Sequence, residues 1–460
     1  MVSWLGKINL FKMIVLPKLL YRLMAIPIQL PVSFFKMCDE LLRDIVWNGK
    51  KPRFRKQVLV QLKEKGGLNV PDIKLYHTAA SLAGLYDWYH EAKAPEWAYL
   101  EKELMGVKTL KDLIVDKGKV PREINLYHPF IGNLLKTWGK TKKKLGLVGD
   151  LSPFTPIDSI QIRESNLAPG IRMALKKRGV STMEQLFLGG KFVSHQRLKS
   201  VLKEEISEFQ YLQLKAMVSS PLNRESLKRE PHKIEKILFK INKASGRLGR
   251  LYRELKNALY TPSVDYIMKW GRDLNTSIDQ GEEKKIWSHM NKCVFSLEVR
   301  EIQVKLTTRY YLTPERLKFA DPEGGGLCWR GCGEVGTYMH CWWYCGRVQL
   351  FWSKVWKIVN KVAAMVVPFR PETALLGLYP NTKCMISCQN SCKIICLAAI
   401  NIIARHWRSL EDLTMNELLH RIWYMHTMED FHADLHNKKQ DFETIWAPIR
   451  KALDNLNGTT

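Results

Sequence analysis

Four metal-type donors, Cys328, Cys332, His340 and Cys345, fall within the segment CWRGCGEVGTYMHCWWYC, residues 328 to 345. The spacing is Cys-x3-Cys-x7-His-x4-Cys. Thiolate sulfur and imidazole nitrogen suit zinc, which takes four tetrahedral ligands, and two close pairs joined by a short turn supply that geometry. Gly331, Gly333 and Gly336 let the backbone wrap a small ion, which a plain core helix would not need. Four protein ligands leave no open position for water, so one structural Zn2+ is expected rather than a catalytic one. Cys341 is a fifth donor beside His340: it either replaces the histidine or stays uncoordinated. A set of buried thiols without metal would also account for these cysteines.

Two other series offer donors and are read as packing. Cys384, Cys388, Cys392 and Cys396 recur every four residues, which lines one helical face but cannot wrap one ion. Among His420, His426, His432 and His436, only the last two share a face, and a packed or solvated helix explains them.

The rest of the chain points to helices and to a polyanionic partner. Apolar residues recur at three- and four-residue spacing, as in Ile8, Phe11, Val15, Leu19 and Leu23, with Pro17, Pro27 and Pro31 breaking that tract. Further helical patterns run over residues 33 to 51, over 232 to 260, where Gly246 and Gly249 weaken the tract, and from 282 to near Pro314. Val58 to Leu62 reads as a short strand before a turn at Gly66 and Gly67, and SPFTPID, residues 152 to 158, as a linker. The expected fold is mainly α: several helical subdomains with a small zinc-stapled knob near the C-terminus. The 460 residues carry 72 Lys+Arg against 45 Asp+Glu, a formal charge of +27, and nucleic acid is the first partner such a charge suggests. Basic clusters at Lys50, Lys51, Arg53, Arg55 and Lys56 and at Lys142, Lys143 and Lys144 are candidate contacts, although a solvated loop explains such runs equally well. In the cysteine-rich segment, Trp329, Trp342 and Trp343 are candidates to stack on bases, with Arg330 beside them, and burial in the knob's own core is the competing reading.

No membrane span is expected, because the most apolar early stretch, residues 23 to 35, is short and holds two prolines. Lys7, Lys12 and Lys18 interrupt any secretory leader, and ten clustered cysteines suit a reduced compartment. The expected location is nuclear or cytoplasmic.

Several stretches, in order, carry a family resemblance: INLFKMIVLPKLLYRLMAIPIQLP, GGLNVPDIKLYHTAA, YYLTPERL, the cysteine-rich segment, ALLGLYP and RIWYMHTMEDFHA. Together they resemble the C-terminal half of the second open-reading-frame protein of LINE-1-like non-LTR retrotransposons. The resemblance implies that residues 1–100 correspond to the end of a reverse transcriptase thumb and the helical region after the polymerase. By the same resemblance 101–320 is a helical wrist-like region and 321–460 a C-terminal segment with a CCHC motif. It implies RNA and target DNA as partners, with no small-molecule substrate, and matches Cys328, Cys332, His340 and Cys345 to the CCHC positions.

Polymerases of that kind hold two divalent ions on paired aspartates, and this chain has no Asp-Asp pair. The nearest tetrapeptide, FADP at Phe319 to Pro322, ends in proline where the second carboxylate would stand. The endonuclease of that family is absent as well, so Met1 reads as an internal start, and the chain is expected not to be an enzyme. A non-catalytic nucleic-acid-binding fragment is the first reading; a protein-interaction scaffold, or the non-functional remnant of a truncated element, is the alternative.

Overall fold

The structure is a computed structural model. It describes residues 2–90, 94–105, 110–115, 128–147, 151–159, 162, 169–189, 191–202, 206–219, 227, 229–240, 245–260, 266–292, 294–320, 325–380 and 383–457. The fold is mainly α, and the only paired strands among the described residues are Phe187–Leu188 and Lys191–Phe192, an antiparallel hairpin. No helix among the described residues is long and apolar enough to cross a membrane. The chain forms two compact units. One comprises Met1–Phe11, Arg43–Val70 and Pro262–Thr460, and the other Lys12–Leu42 and Pro71–Thr261.

The second of these units is built around the helix Ile73–Tyr89. Asp72 caps it, its carboxylate accepting from the Leu75 N–H at 2.9 Å. Leu75, Ala79, Leu82, Leu85 and Trp88 are all buried, so the helix is apolar around most of its circumference and must be enclosed. Leu16–Ala25, Pro129–Lys144 and Arg247–Leu259 pack against it. Pro17 does not break the tract as expected: it stands just after the π-helical turn Phe11–Val15, and helix continues through it to Ala25. Gly246, at φ +69°, caps Arg247–Leu259 and starts it as a separate helix, which accounts for the interrupted periodicity of 232 to 260; Ile241 in that tract lies outside the described residues. A further apolar cluster gathers Leu151, Ile157, Leu175, Met183, Leu186 and Leu214. SPFTPID is not a solvated linker: Phe154 joins the first cluster and Ile157 this one, while Thr155 is fully buried. Its prolines turn the chain between two cores.

The other unit centres on Lys383–Arg405, where Ile394, Leu397, Ala398 and Ile402 are fully or almost fully buried. Gly346–Ala363, Leu297–Thr307, Met415–Leu435 and Lys439–Asn457 surround it. Cys388, Cys392 and Cys396 are buried on this helix as packed thiols, and burial raises the Cys396 thiol to about 12; the side chain of Cys384 lies outside the described residues. The tract from 282 to Pro314 is three helices rather than one, Gln280–Lys292, Leu297–Thr307 and Pro314–Leu317, each with its own start. The first helix of the chain, Trp4–Leu10, packs on Leu297–Thr307. Trp4 lies against Trp47 and Tyr310, with ring centroids 4.5 and 4.8 Å away, and the Lys305 ammonium stands over its face at 4.3 Å.

The strand expected at Val58 to Leu62 is instead the helix Lys56–Val60, because Val58 and Leu59 bond back to the Arg55 carbonyl. The carbonyls of Val58 and Leu59 then accept from Leu68 and Val70. Gly66, at φ +77°, makes the turn that allows this.

Candidate metal centre and basic surfaces

The loop before the knob folds on itself through short-range bonds. Cys328 N–H donates to the Glu334 carbonyl at 2.8 Å, and Gly331 N–H to the Cys328 carbonyl at 3.1 Å. Gly331 and Gly333 have φ of +71° and +79°, a conformation that L side chains resist. Gly336 is required for a different reason: a Cβ there would lie 2.3 Å from the Pro314 ring. This loop delivers Cys328 and Cys332.

The second pair comes from a π-helical turn, His340–Tyr344. Cys345 N–H bonds to the His340 carbonyl at 2.9 Å, five residues back. An ordinary α-turn would carry positions five apart well off one line, whereas the wider turn returns Cys345 to the side of His340. That is how a His-x4-Cys spacing presents two donors together. Cys345 also stands at the start of Gly346–Ala363, so the turn that carries His340 runs directly into that helix.

The donor atoms of Cys328, Cys332, His340 and Cys345 all lie within 4.8 Å of one another, and Cys332 Sγ is 3.2 Å from His340 Nε2. Zinc–sulfur bonds of about 2.3 Å place tetrahedral ligand atoms about 3.8 Å apart, so this group fits a single ion with only small adjustment. Among the described residues it is the one such cluster of Cys, His, Asp and Glu. Burial raises the Cys328 thiol to about 11 and lowers the His340 imidazole below its ordinary value. Cys341 is not in the cluster; its thiol is buried and raised to about 12.

The knob is fixed by aromatic packing and buried hydrogen bonds. Tyr338 Oη donates to the Leu306 carbonyl at 2.7 Å, Trp352 Nε1 to the Trp342 carbonyl at 3.1 Å, and Trp407 lies 4.8 Å from Trp342. Trp342 and Trp343 are buried core residues, and stacking on bases is not open to them. Arg330 is corrected too: it is 2% exposed and turned inward, so it cannot reach a phosphate on the surface. Trp329 alone of these keeps exposed surface, with the Arg408 guanidinium over its ring at 4.8 Å.

The basic clusters keep their charges at the surface. Lys50, Lys51, Arg53, Arg55 and Lys56 are exposed around buried Phe54, and Arg53 is held over the Tyr310 ring at 4.8 Å. Lys143 and Lys144 are exposed on the last turn of Pro129–Lys144, while Lys142 leans over Trp138 at 5.8 Å. Lys136 and Lys74 were not anticipated from sequence, whereas Lys140 opens the basic run at 140 to 144. With Lys144 they border one recess, and the four-residue period from 136 to 144 was the available signal.

His432 and His436 lie side by side with their rings tilted and centroids 4.3 Å apart, and Phe295 stacks on His432 at 3.4 Å. Asp321 and Pro322 of FADP lie outside the described residues. Residues 265–455 match the family described as the ORF2p C-terminal domain.

Proposed function

With an ORF2p C-terminal domain over residues 265–455 as the premise, we propose that the chain is a non-catalytic, nucleic-acid-binding part of a LINE-1-type retrotransposon protein, carrying one structural zinc ion. The observation that carries the metal reading is the convergence of three cysteine sulfurs and one imidazole nitrogen within 4.8 Å. Zinc is the ion that this donor set and number favour. When bound, zinc would tie the glycine-rich loop to the π-turn. The protein does the rest: Thr337 Oγ1 accepts from the His340 N–H at 3.0 Å and sets that backbone, and the tryptophans fill the space beneath.

The nucleic-acid reading rests on the +27 charge and on basic side chains held at the surface beside aromatic anchors. RNA, and DNA where the two meet, are the partners this favours, in the nucleus or the cytoplasm. With no Asp-Asp pair in the sequence, the chain supplies binding and not phosphoryl transfer.

The experiment is a metal assay and an RNA titration on the same full chain. We expect close to one zinc per folded, reduced chain, lowered well below one in Cys332→Ser and His340→Ala. RNA affinity should fall steeply with salt, as counterion release requires. Folded wild type without zinc would end the metal reading, and affinity for RNA that is absent or indifferent to salt would end the nucleic-acid reading.

A further inference from the structure

A recess of about 520 Å³ opens wholly within the unit formed by Lys12–Leu42 and Pro71–Thr261. One wall is the helix Pro129–Lys144, which contributes Lys136, Lys140 and Lys144. Residues four apart stay on one helix face, and their positions step along it by about 6 Å. Lys74, from the first turn of Ile73–Tyr89, also lines the recess. All four lysines are exposed, and none has a carboxylate partner among the described residues.

The recess contains one carboxylate, and it is already engaged. Asp72 accepts from the Tyr260 hydroxyl and from the Leu75 N–H. Asp39 acts on Tyr260 without lining the recess. Four ammonium groups therefore border a space with a single committed carboxylate. Phe35, Leu75, Leu255 and Leu259 supply the apolar part of the lining, its floor, beside the polar Asn133, Thr137 and Thr141.

We infer that this recess binds a single-stranded nucleic acid, its successive phosphates along the row of Lys136, Lys140 and Lys144 and one unpaired base on the apolar floor. The inference rests on the nucleic-acid reading above and gives it a location. The evenly stepped row suits the regularly repeated charge of a phosphodiester chain, and the apolar part of the lining suits its flat bases, which an acidic peptide does not carry. A duplex would pair with the lysines but would leave the floor empty, because its bases are stacked inside. A recess of this volume falls in the range of sites that enclose a small ligand group.

The test measures binding of a twelve-residue oligouridine to the full chain by fluorescence anisotropy across a salt series. Lys136→Gln/Lys140→Gln/Lys144→Gln is compared with Lys177→Gln/Lys191→Gln/Lys199→Gln, which removes equal charge from exposed positions outside the recess. We expect about a tenfold or greater loss in the first variant, with a log–log salt slope shallower by about two, as the loss of three single-strand phosphate contacts implies. The second variant should lose no more than about twofold by screened long-range attraction. Circular dichroism should be unchanged in both, since every substituted side chain is exposed.

Equal losses in the two variants would overturn the recess while leaving general nucleic-acid binding intact. A wild type that does not bind oligouridine would overturn both. A duplex of the same length that loses as much affinity in the first variant as the single strand does would overturn the seated base. So would 5-iodouridine cross-links that fall elsewhere than on peptides containing Phe35 or Tyr260. Phosphatidylserine vesicles are the remaining arm, and the recess is overturned if the first variant weakens vesicle binding but not oligouridine binding.

Discussion

Arg330 donates its Nη1–H to the main-chain carbonyl of Cys341 at 3.1 Å, from a position only 2% exposed. The cation thus spans the two halves of the knob, tying the loop that carries Cys328 and Cys332 to the turn that carries His340. Arg330→Met should destabilise the protein by about 2 kcal/mol, the usual worth of a buried hydrogen bond from a charged donor. Urea denaturation followed by tryptophan fluorescence reads it, and an unchanged midpoint would show that the contact contributes nothing.

Cys341 separates the two ways of counting ligands. Its thiol is buried, raised to about 12, and outside the cluster of four donors. Cys341→Ala should keep one metal ion per chain, at a cost of about 1 kcal/mol for the lost packing. A metal content falling towards zero in this variant, with folding retained, would make Cys341 a ligand.

His289 supplies a pH dependence of stability. It is buried, and desolvation with the nearby Lys393 charge lowers its pKa to about 3. Between that value and the ordinary 6.5, the unfolded chain binds a proton that the folded chain refuses. Stability is therefore complete above about pH 6.5 and declines as pH falls through the window, by about 2 kcal/mol at pH 5. The urea midpoint of wild type should drop between pH 7.5 and 5.0 by more than that of His289→Gln. Equal drops would remove His289 from the account.

Gly67 is a test of close backbone approach. A Cβ there would lie 2.0 Å from the Gln61 carbonyl oxygen, and main chain cannot swing aside as a side chain does. Gly67→Ala should cost about 3 kcal/mol, the upper end for overpacking. Thermal melting checks this, and a shift under a degree would mean that the turn relaxes freely.

The helical character and the four donors were legible because both are local. Periodicity at 3.6 residues and a short Cys-Cys-His-Cys spacing need no knowledge of distant segments. Burial of Cys388, Cys392 and Cys396 was legible for the same reason. The direction of Arg330 was not: a basic residue beside tryptophans looks like a surface contact, and only the path of the π-turn places the Cys341 carbonyl within its reach. Nor was the recess, since Lys74 and the row from Lys136 to Lys144 come together through the packing of two helices far apart in sequence. SPFTPID misled because prolines in polar company mark turns as well as linkers, and here the turn joins two cores.

The Trp4 N–H donates to the carboxylate of Glu301, across 297 positions of sequence. A ribosome releases the first partner long before the second, and the whole of Lys12–Leu42 and of Pro71–Thr261 is made in the interval. The intervening unit can therefore close first, while Trp4, Trp47 and Phe54 wait with their rings uncovered for Tyr310. A nascent chain halted between these points is the form most in need of a chaperone.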